Sequence, residues 1–215
     1  MMPAPYGGTS LVKVKNEKDL PPHFSFFEYE RMLLLMEDLY SPNYAVRNRL
    51  LFRLMFETGG RVNDIADLKV SDFNLQTKIL SLRVQKKSNV LAIPVSDDLL
   101  VNVVNYWRVF NVKEQMFPTV NTVRKGMKKR GTHLTGVRIW KIVKKVGNEI
   151  GIGWIHPHTF RHSLAIYLLS KTSGYDGLIA ISARLGHSAI TTTVNSYLVM
   201  TPEIQRAILK NSGVV

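Results

Sequence analysis

Thr77-Lys78-Ile79-Leu80-Ser81-Leu82-Arg83-Val84-Gln85-Lys86-Lys87-Ser88-Asn89-Val90-Leu91-Ala92-Ile93-Pro94-Val95 is patterned unlike the rest of the chain. Ile79, Leu80, Leu82 and Val84 stand on one side of the polar run Gln85 to Asn89, and Val90, Leu91, Ile93 and Val95 on the other. Near-alternation flanking a short polar run marks two strands joined by a turn. A β-hairpin with a basic tip is expected here, and elsewhere the strong periodicities are helical. The fold class that follows is mainly α with a small antiparallel β-sheet (α+β).

Upstream of the hairpin, Ser25 is a helix N-cap with Glu28 at the capping-box position, and Phe26, Phe27, Met32, Leu33, Leu35 and Met36 form the apolar side. Ser41-Pro42 ends that helix. A second, about Ala45 to Glu57, places Val46, Leu50, Leu51, Leu54 and Met55 inward and Arg47, Asn48 and Arg53 outward, until Gly59-Gly60 breaks it. A short third runs from Val62 to Leu68. Downstream, helices are expected over Asp97 to Phe110, Leu134 to Ile150, His158 to Ser170, Asp176 to Leu185, Thr191 to Met200 and Glu203 to Leu209, with a polar, weakly periodic stretch from Asn111 to Thr135. The chain is read as a Pro/Gly-rich lead-in over 1–22, one catalytic domain over 23–200, and a tail helix over 201–215 that docks in cis or in trans.

A length of 215 residues with 45% hydrophobic and 21% charged residues suffices for a substantial core and excludes disorder throughout. The complete lack of cysteine excludes disulfide scaffolds, Cys-ligated zinc, iron–sulfur clusters and thiol chemistry. No apolar run is long enough to span a membrane, and the N-terminus lacks a basic region followed by an apolar one, so a soluble, cytoplasmic, nucleoid-associated protein is expected. The formal charge of +13 points to a polyanionic partner, nucleic acid first. Residues 111–150 concentrate that charge in Lys113, Arg124, Lys125, Lys128, Lys129, Arg130, Arg138, Lys141, Lys144 and Lys145 against Glu114 and Glu149. A solvated helix face usually interleaves acids for i,i+4 pairing. Their scarcity here fits a surface that tracks phosphates and releases counterions.

A Walker loop, a dinucleotide fingerprint, a Gly-x-Ser-x-Gly elbow and an acid-rich metal cluster are all missing from the sequence. In their place, basic and imidazole residues recur at element ends: Arg61 after Gly59-Gly60, Lys86 and Lys87 at the hairpin tip, His158-Thr159-Phe160-Arg161-His162, and Gly186-His187, with Tyr197 ten residues beyond His187. Two arginines can grip a phosphate bidentately. A phenol is a poor nucleophile at neutral pH, and a positive field with basic neighbours is what activates it.

Three segments, Thr58-Gly59-Gly60-Arg61-Val62-Asn63-Asp64-Ile65-Ala66-Asp67-Leu68, His156-Pro157-His158-Thr159-Phe160-Arg161-His162-Ser163 and Leu185-Gly186-His187-Ser188 with Tyr197 downstream, resemble the tyrosine recombinase (phage integrase) family over roughly residues 25 to 200, its catalytic domain. The resemblance implies that Arg61 and Arg161 hold the scissile phosphate, that His158 is an acid/base and phosphate contact, that His187 is a second imidazole, and that Tyr197 is the nucleophile. Counted back from Ile93-Pro94, the family's hairpin lysine falls on Lys86, the general acid for the leaving 5′ oxygen, with Lys87 one residue away as the alternative and as a DNA contact. Asp64 stands where the family carries an acid and orients Arg61. The activity implied is site-specific cleavage and rejoining of double-stranded DNA through a 3′-phosphotyrosyl link, without metal or nucleotide cofactor. It also implies four protomers assembled on two DNA sites, with accessory DNA-binding proteins as further partners.

Two departures from the family follow. His187 and Tyr197 are separated by one residue more than is general there, and one residue turns a helix by about 100°. Either a loop after His187 absorbs it, or Tyr197 points away in the resting state. The separate N-terminal domain of the family is also not seen before the catalytic region, which makes the chain either a minimal recombinase or a fragment. Three other readings compete with recombination. One is a non-catalytic DNA-binding module of the same fold, and another is a type IB topoisomerase sharing the chemistry. The third is a metal-dependent hydrolase using His156, His158 and His162, with His187 as a fourth ligand.

Overall fold

The structure is a computed structural model and describes residues 20–84, 89–118, 133–172, 174–187 and 189–197. The lead-in up to residue 19, the hairpin tip at 85–88, residues 119–132 and residues 198–215, with the tail helix expected over 201–215, lie outside the described residues. Helix α1 (Phe26–Leu34) opens on the expected capping box. The Ser25 hydroxyl accepts from the Glu28 N–H at 3.2 Å, and the Glu28 carboxylate accepts from the Ser25 N–H at 2.7 Å. The apolar side differs from expectation. Phe26 and Phe27 are 41% and 67% exposed, whereas Tyr29, Met32 and Met36 are buried. Phe26 sits at the rim, stacked on Tyr167 at 5.0 Å, because the first turn of α1 overhangs the core.

α2 (Met36–Leu39) follows after a break at Leu35, and α3 (Pro42–Thr58) starts three residues earlier than the periodicity suggests. Ser41-Pro42 is the start of a helix rather than the end of one, since proline's fixed φ and missing N–H suit the first helical position. α3 is the central helix, burying Leu50, Leu51, Phe52, Leu54 and Met55. Val46, expected inward, is 45% exposed, and Asn48, expected outward, is buried. Inside, the Asn48 Oδ1 accepts from Nε and Nη2 of Arg47, at 3.1 and 2.8 Å, while its Nδ2 makes no hydrogen bond among the described residues.

α3 stops at Gly59, whose φ of +65° is the left-handed conformation natural to glycine. A Cβ there would lie 2.9 Å from Leu185 Cδ2 and 3.0 Å from Leu164 Cδ2, so the turn is also closely packed. The Thr58 hydroxyl donates to Leu54 O at 2.6 Å and accepts from the Gly60 N–H at 3.0 Å, which fixes how the chain leaves the helix. Arg61 is thereby set at the N-cap of α4 (Val62–Ala66).

A 3-10 turn over Val70–Asp72 leads into a three-stranded antiparallel sheet of order β1 (Phe73–Asn74), β2 (Ile79–Val84) and β3 (Asn89–Pro94). The β2–β3 register pairs Leu80 with Ile93 and Leu82 with Leu91, and Leu80, Leu82 and Ile93 are buried. β1 escapes a sequence reading because two residues carry no period.

Ser96 caps α5 (Asp97–Phe110), which has the expected bounds. The stretch after it is anchored at both ends: Lys69 bridges Gln115, Pro118 bridges His133, and the Leu134 N–H donates to Phe117 O at 2.8 Å. α6 (Gly136–Glu149), α7 (Pro157–Lys171), α8 (Gly174–Arg184) and α9 (Ile190–Tyr197) complete the order. α7 lies against α3 through Phe160, which meets Phe52 and Phe24 edge-on at 4.9 Å each. Arg184 ties α8 to the same scaffold, donating from Nε to Glu57 O at 3.0 Å and from Nη1 to Pro94 O at 3.2 Å. Among the described residues no helix is long and apolar enough to cross a membrane.

Candidate active site

Four element ends converge: the α3–α4 turn, the first turns of α7, the end of α8, and α9. The turn after α3 presents Arg61, whose side chain is 39% exposed and whose Nη1 lies 3.9 Å from Oδ2 of Asp64, a carboxylate only 3% exposed. A buried acid beside an exposed guanidinium limits where that guanidinium can point. Arg161 on α7 is the opposite case, at 4% exposure. Its Nη1 donates to Gly59 O at 2.9 Å and its Nη2 to Leu185 O, so one side chain spans the carbonyls just past α3 and α8. Burial, and then the neighbouring Arg61, pull Arg161 down to about 10, against the opposing influence of Tyr197 and Asp64. It stays cationic at neutral pH.

His158 and His162 stand one turn apart on α7, rings edge-to-face at 4.6 Å. His187 follows α8, where its N–H donates to Ser182 O at 3.0 Å and Gly186 turns with φ +62°. Its Nδ1 shares a hydrogen bond of 2.7 Å with the hydroxyl of Thr193, a fully buried residue of α9. Tyr197, 5% exposed, closes the group. Its hydroxyl shares a 2.8 Å hydrogen bond with Nδ1 of His162, and its ring lies within 7° of parallel to that of His187, centroids 6.4 Å apart. The Tyr197 phenol thus faces His162 and His187 and does not point away from them.

The sequence reading did not foresee two contacts. From sequence alone His162 stands out only as a candidate metal ligand, and Thr193 carries no signal. His162 stands one turn beyond His158 on the face that also carries Arg161, a spacing that singles it out, but its partner Tyr197 is 35 positions away. Lys86, Lys87, Arg124, Lys125, Lys128, Lys129 and Arg130 lie outside the described residues. On α6, Arg138 and Lys141 are exposed. Lys144 donates to Gly153 O at 2.7 Å and rides over the Trp140 ring, and Lys145 donates to Leu39 O at 3.2 Å over Tyr40. Among the described residues no three His, Asp or Glu side chains are arranged to hold a metal ion.

Burial and then the arginines set the site's electrostatics. His187 is pushed down to about 4 by burial, then by Arg161 and Arg61. His162 is likewise pushed to about 4, by burial, then by His158, His156, Arg161 and His23. Burial raises the Tyr197 phenol, with Arg161 opposing. An unfolded chain, with imidazoles near 6.5, binds protons between pH 6.5 and about 4 that the folded chain refuses. Stability therefore rises with pH across that window, is complete above it, and is lost as the pH falls through it. A melting temperature clearly lower at pH 5 than at pH 7.5 is expected, and an equal or higher one at pH 5 counts against neutral imidazoles in the folded site.

The fold is that of the tyrosine recombinase catalytic domain. The XerH site-specific recombinase in its pre-cleavage complex with difH superposes with a TM-score of 0.69 at 24% identity, over 90% of this chain and 55% of that one. The Tn1549 transposon integrase in complex with transposon right end DNA gives 0.70 at 16% identity, over 92% and 69%. The chain belongs to the phage integrase family, whose sequence profile matches residues 23–203. Tyrosine recombinase XerD of Staphylococcus epidermidis is 35% identical over 183 residues, and tyrosine recombinase XerA of Pyrococcus furiosus 31% over 179, each match taking 83% of this chain. The chain spans 58% of the length of either relative.

Proposed function

We propose that the chain is the catalytic part of a site-specific DNA recombinase that cuts and reseals DNA strands through Tyr197. Support comes chiefly from one observation: the Tyr197 hydroxyl is buried among imidazoles at the site Arg161 spans, 2.8 Å from His162 Nδ1. The phenolic oxygen attacks the scissile phosphorus, the bond to the 5′ oxygen breaks, and a 3′-phosphotyrosyl link keeps the energy needed for rejoining. Arg61 and Arg161 hold the non-bridging oxygens, where preorganised donors contribute most to such transfers. His158 and His187 add donors to the same phosphate, Asp64 orients Arg61, and Lys86, or Lys87 beside it, protonates the leaving 5′ oxygen. Lys87, Arg124, Lys125, Lys128, Lys129, Arg130, Arg138, Lys141, Lys144 and Lys145 grip the duplex. The chemistry requires neither metal nor nucleotide, and the work is done on cytoplasmic DNA by four protomers on two sites, with accessory DNA-binding proteins. The catalytic domain is assigned to 23–200, and residues 201–215 to a docking tail.

The test incubates the protein in excess EDTA with supercoiled DNA carrying its own genomic flanks and quenches with SDS. A covalent protein–DNA adduct that survives EDTA is expected. Binding without an adduct on any substrate replaces this reading with a non-catalytic DNA-binding module of the same fold, and cleavage only with added metal sinks the tyrosine mechanism.

A further inference from the structure

Resting on the reading of Tyr197 as nucleophile, we propose that His162 is a further catalytic residue: its Nδ1 holds the Tyr197 hydroxyl and takes the phenolic proton as the oxygen attacks phosphorus. The geometry is direct, since the two atoms are 2.8 Å apart. A general base must lie within hydrogen-bond reach of the proton it removes, and His162 does so before any substrate arrives. His187 is parallel to the phenol ring rather than bonded to its hydroxyl, and its Nδ1 is engaged by Thr193. Tyr197 is only 5% exposed, so bulk water is poorly placed to receive the proton.

The carrier of His162 is rigid. α7 is clamped to α3 by the fully buried Phe160, and one residue before His162 the Arg161 side chain fixes the helix to the Gly59 and Leu185 carbonyls. The groups that face His162 are His158 and Arg161 from its own helix, His156 at that helix's N-cap, His23 from the segment before α1, and Tyr197 from α9. Burial, and then all of them but Tyr197, oppose a proton on His162, so in the free protein the imidazole is neutral at neutral pH. An anionic phosphodiester settled between Arg61 and Arg161 offsets that positive field. His162 thus becomes a better base when substrate occupies the site, and the phenol is kept protonated until then.

The step balances. The Tyr197 O–H bond breaks and its proton goes to His162 Nδ1. The phenolic oxygen bonds to phosphorus, the bond from phosphorus to O5′ breaks, and O5′ takes a proton from the general acid. On rejoining, the 5′ hydroxyl returns its proton to the group that had protonated it as its oxygen bonds to phosphorus, the tyrosyl ester breaks, and the leaving phenolic oxygen recovers its proton from His162.

The experiment follows adduct formation in single turnover on a nicked DNA substrate whose cut fragment diffuses away, with gel-shift binding in parallel. His162→Ala and His162→Asn are compared with the parent, and His162→Ala is repeated with added imidazole. Asn supplies an oxygen near the Nδ1 position that accepts the hydroxyl but takes no proton. Both variants are expected to bind DNA normally and to form adduct about 100- to 10,000-fold more slowly, the range of a lost general base. Imidazole is expected to restore at least tenfold of the loss in His162→Ala. Adduct at the parent rate in His162→Asn, or no imidazole rescue, overturns the proton transfer. Failure of the parent itself to form an adduct overturns the nucleophile reading instead, so the two failures are distinct.

Discussion

Tyr197→Phe is expected to form no covalent protein–DNA species at any time of incubation, while binding DNA within about twofold of the parent. Phenylalanine is the informative replacement because Tyr197 does two things in the structure. Its ring lies 5% exposed beside His187, and its hydroxyl reaches His162. Phe keeps the ring and removes only the oxygen that would attack phosphorus. The structural consequence is one lost hydrogen bond, worth about 1 kcal/mol, and a melting temperature lower by about 2–4 °C for a chain of this size. Tyr197→Ala would confound the result by opening a cavity against the Thr193 and His187 side. A Tyr197→Phe protein that still forms an SDS-stable adduct identifies another hydroxyl as the nucleophile and ends the assignment. An adduct missing from Tyr197→Phe and present in the parent also means that an offset of ten positions from His187 to Tyr197 is tolerated, consistent with the phenol already turned inward.

How far such a site can be read from sequence depends on whether the cause of each feature is local. The capping box at Ser25 and Glu28 and the bounds of α5 are set by residues within one turn, and both were legible. So was the hairpin, since period two survives in six residues on either side. Phe26 and Phe27 were misplaced because an apolar stripe states which residues can be buried, not how far the first turn overhangs the core. Asn48 was misplaced because polarity alone puts an amide outside, whereas here the packing around α3 buries it with only its Oδ1 paired among the described residues, to Arg47. Ser41-Pro42 gives the same signal for the end of one helix and the start of the next. Within the site, Arg61, His158, Arg161, His187 and Tyr197 were legible as an ordered set of residue types. Their partners were not: Thr193 under His187, His162 against Tyr197, and the Gly59 and Leu185 carbonyls under Arg161 are tertiary pairings. A backbone carbonyl leaves no mark in a sequence at all.

That last pairing separates the two arginines energetically, although a sequence motif treats them alike. Arg161→Ala is expected to lose both activity and stability, whereas Arg61→Ala loses activity alone. Arg161 is 4% exposed and donates to two carbonyls, one beyond α3 and one beyond α8. Truncation leaves both acceptors unpaired in a dry environment, where an orphaned group costs about 1–3 kcal/mol. Relief of the burial of a charge and of the repulsion with Arg61, which in that order hold Arg161 down near 10, returns part of this. A net loss of about 3 kcal/mol follows from the two bonds with a charged donor, and the melting temperature should fall by about 6–12 °C. Arg61 is 39% exposed with one ion pair at 3.9 Å, and pairs of that kind contribute about 0–1 kcal/mol, so its removal should hardly move the melt. Adduct formation should nonetheless fall in both, by about 100- to 1,000-fold, because each withdraws a donor from the charge developing on the phosphate. Thermal melts beside single-turnover adduct assays on the two variants resolve the matter. If Arg161→Ala melts with the parent, the carbonyl contacts are not a strut; if it also cleaves like the parent, Arg161 is no phosphate ligand either.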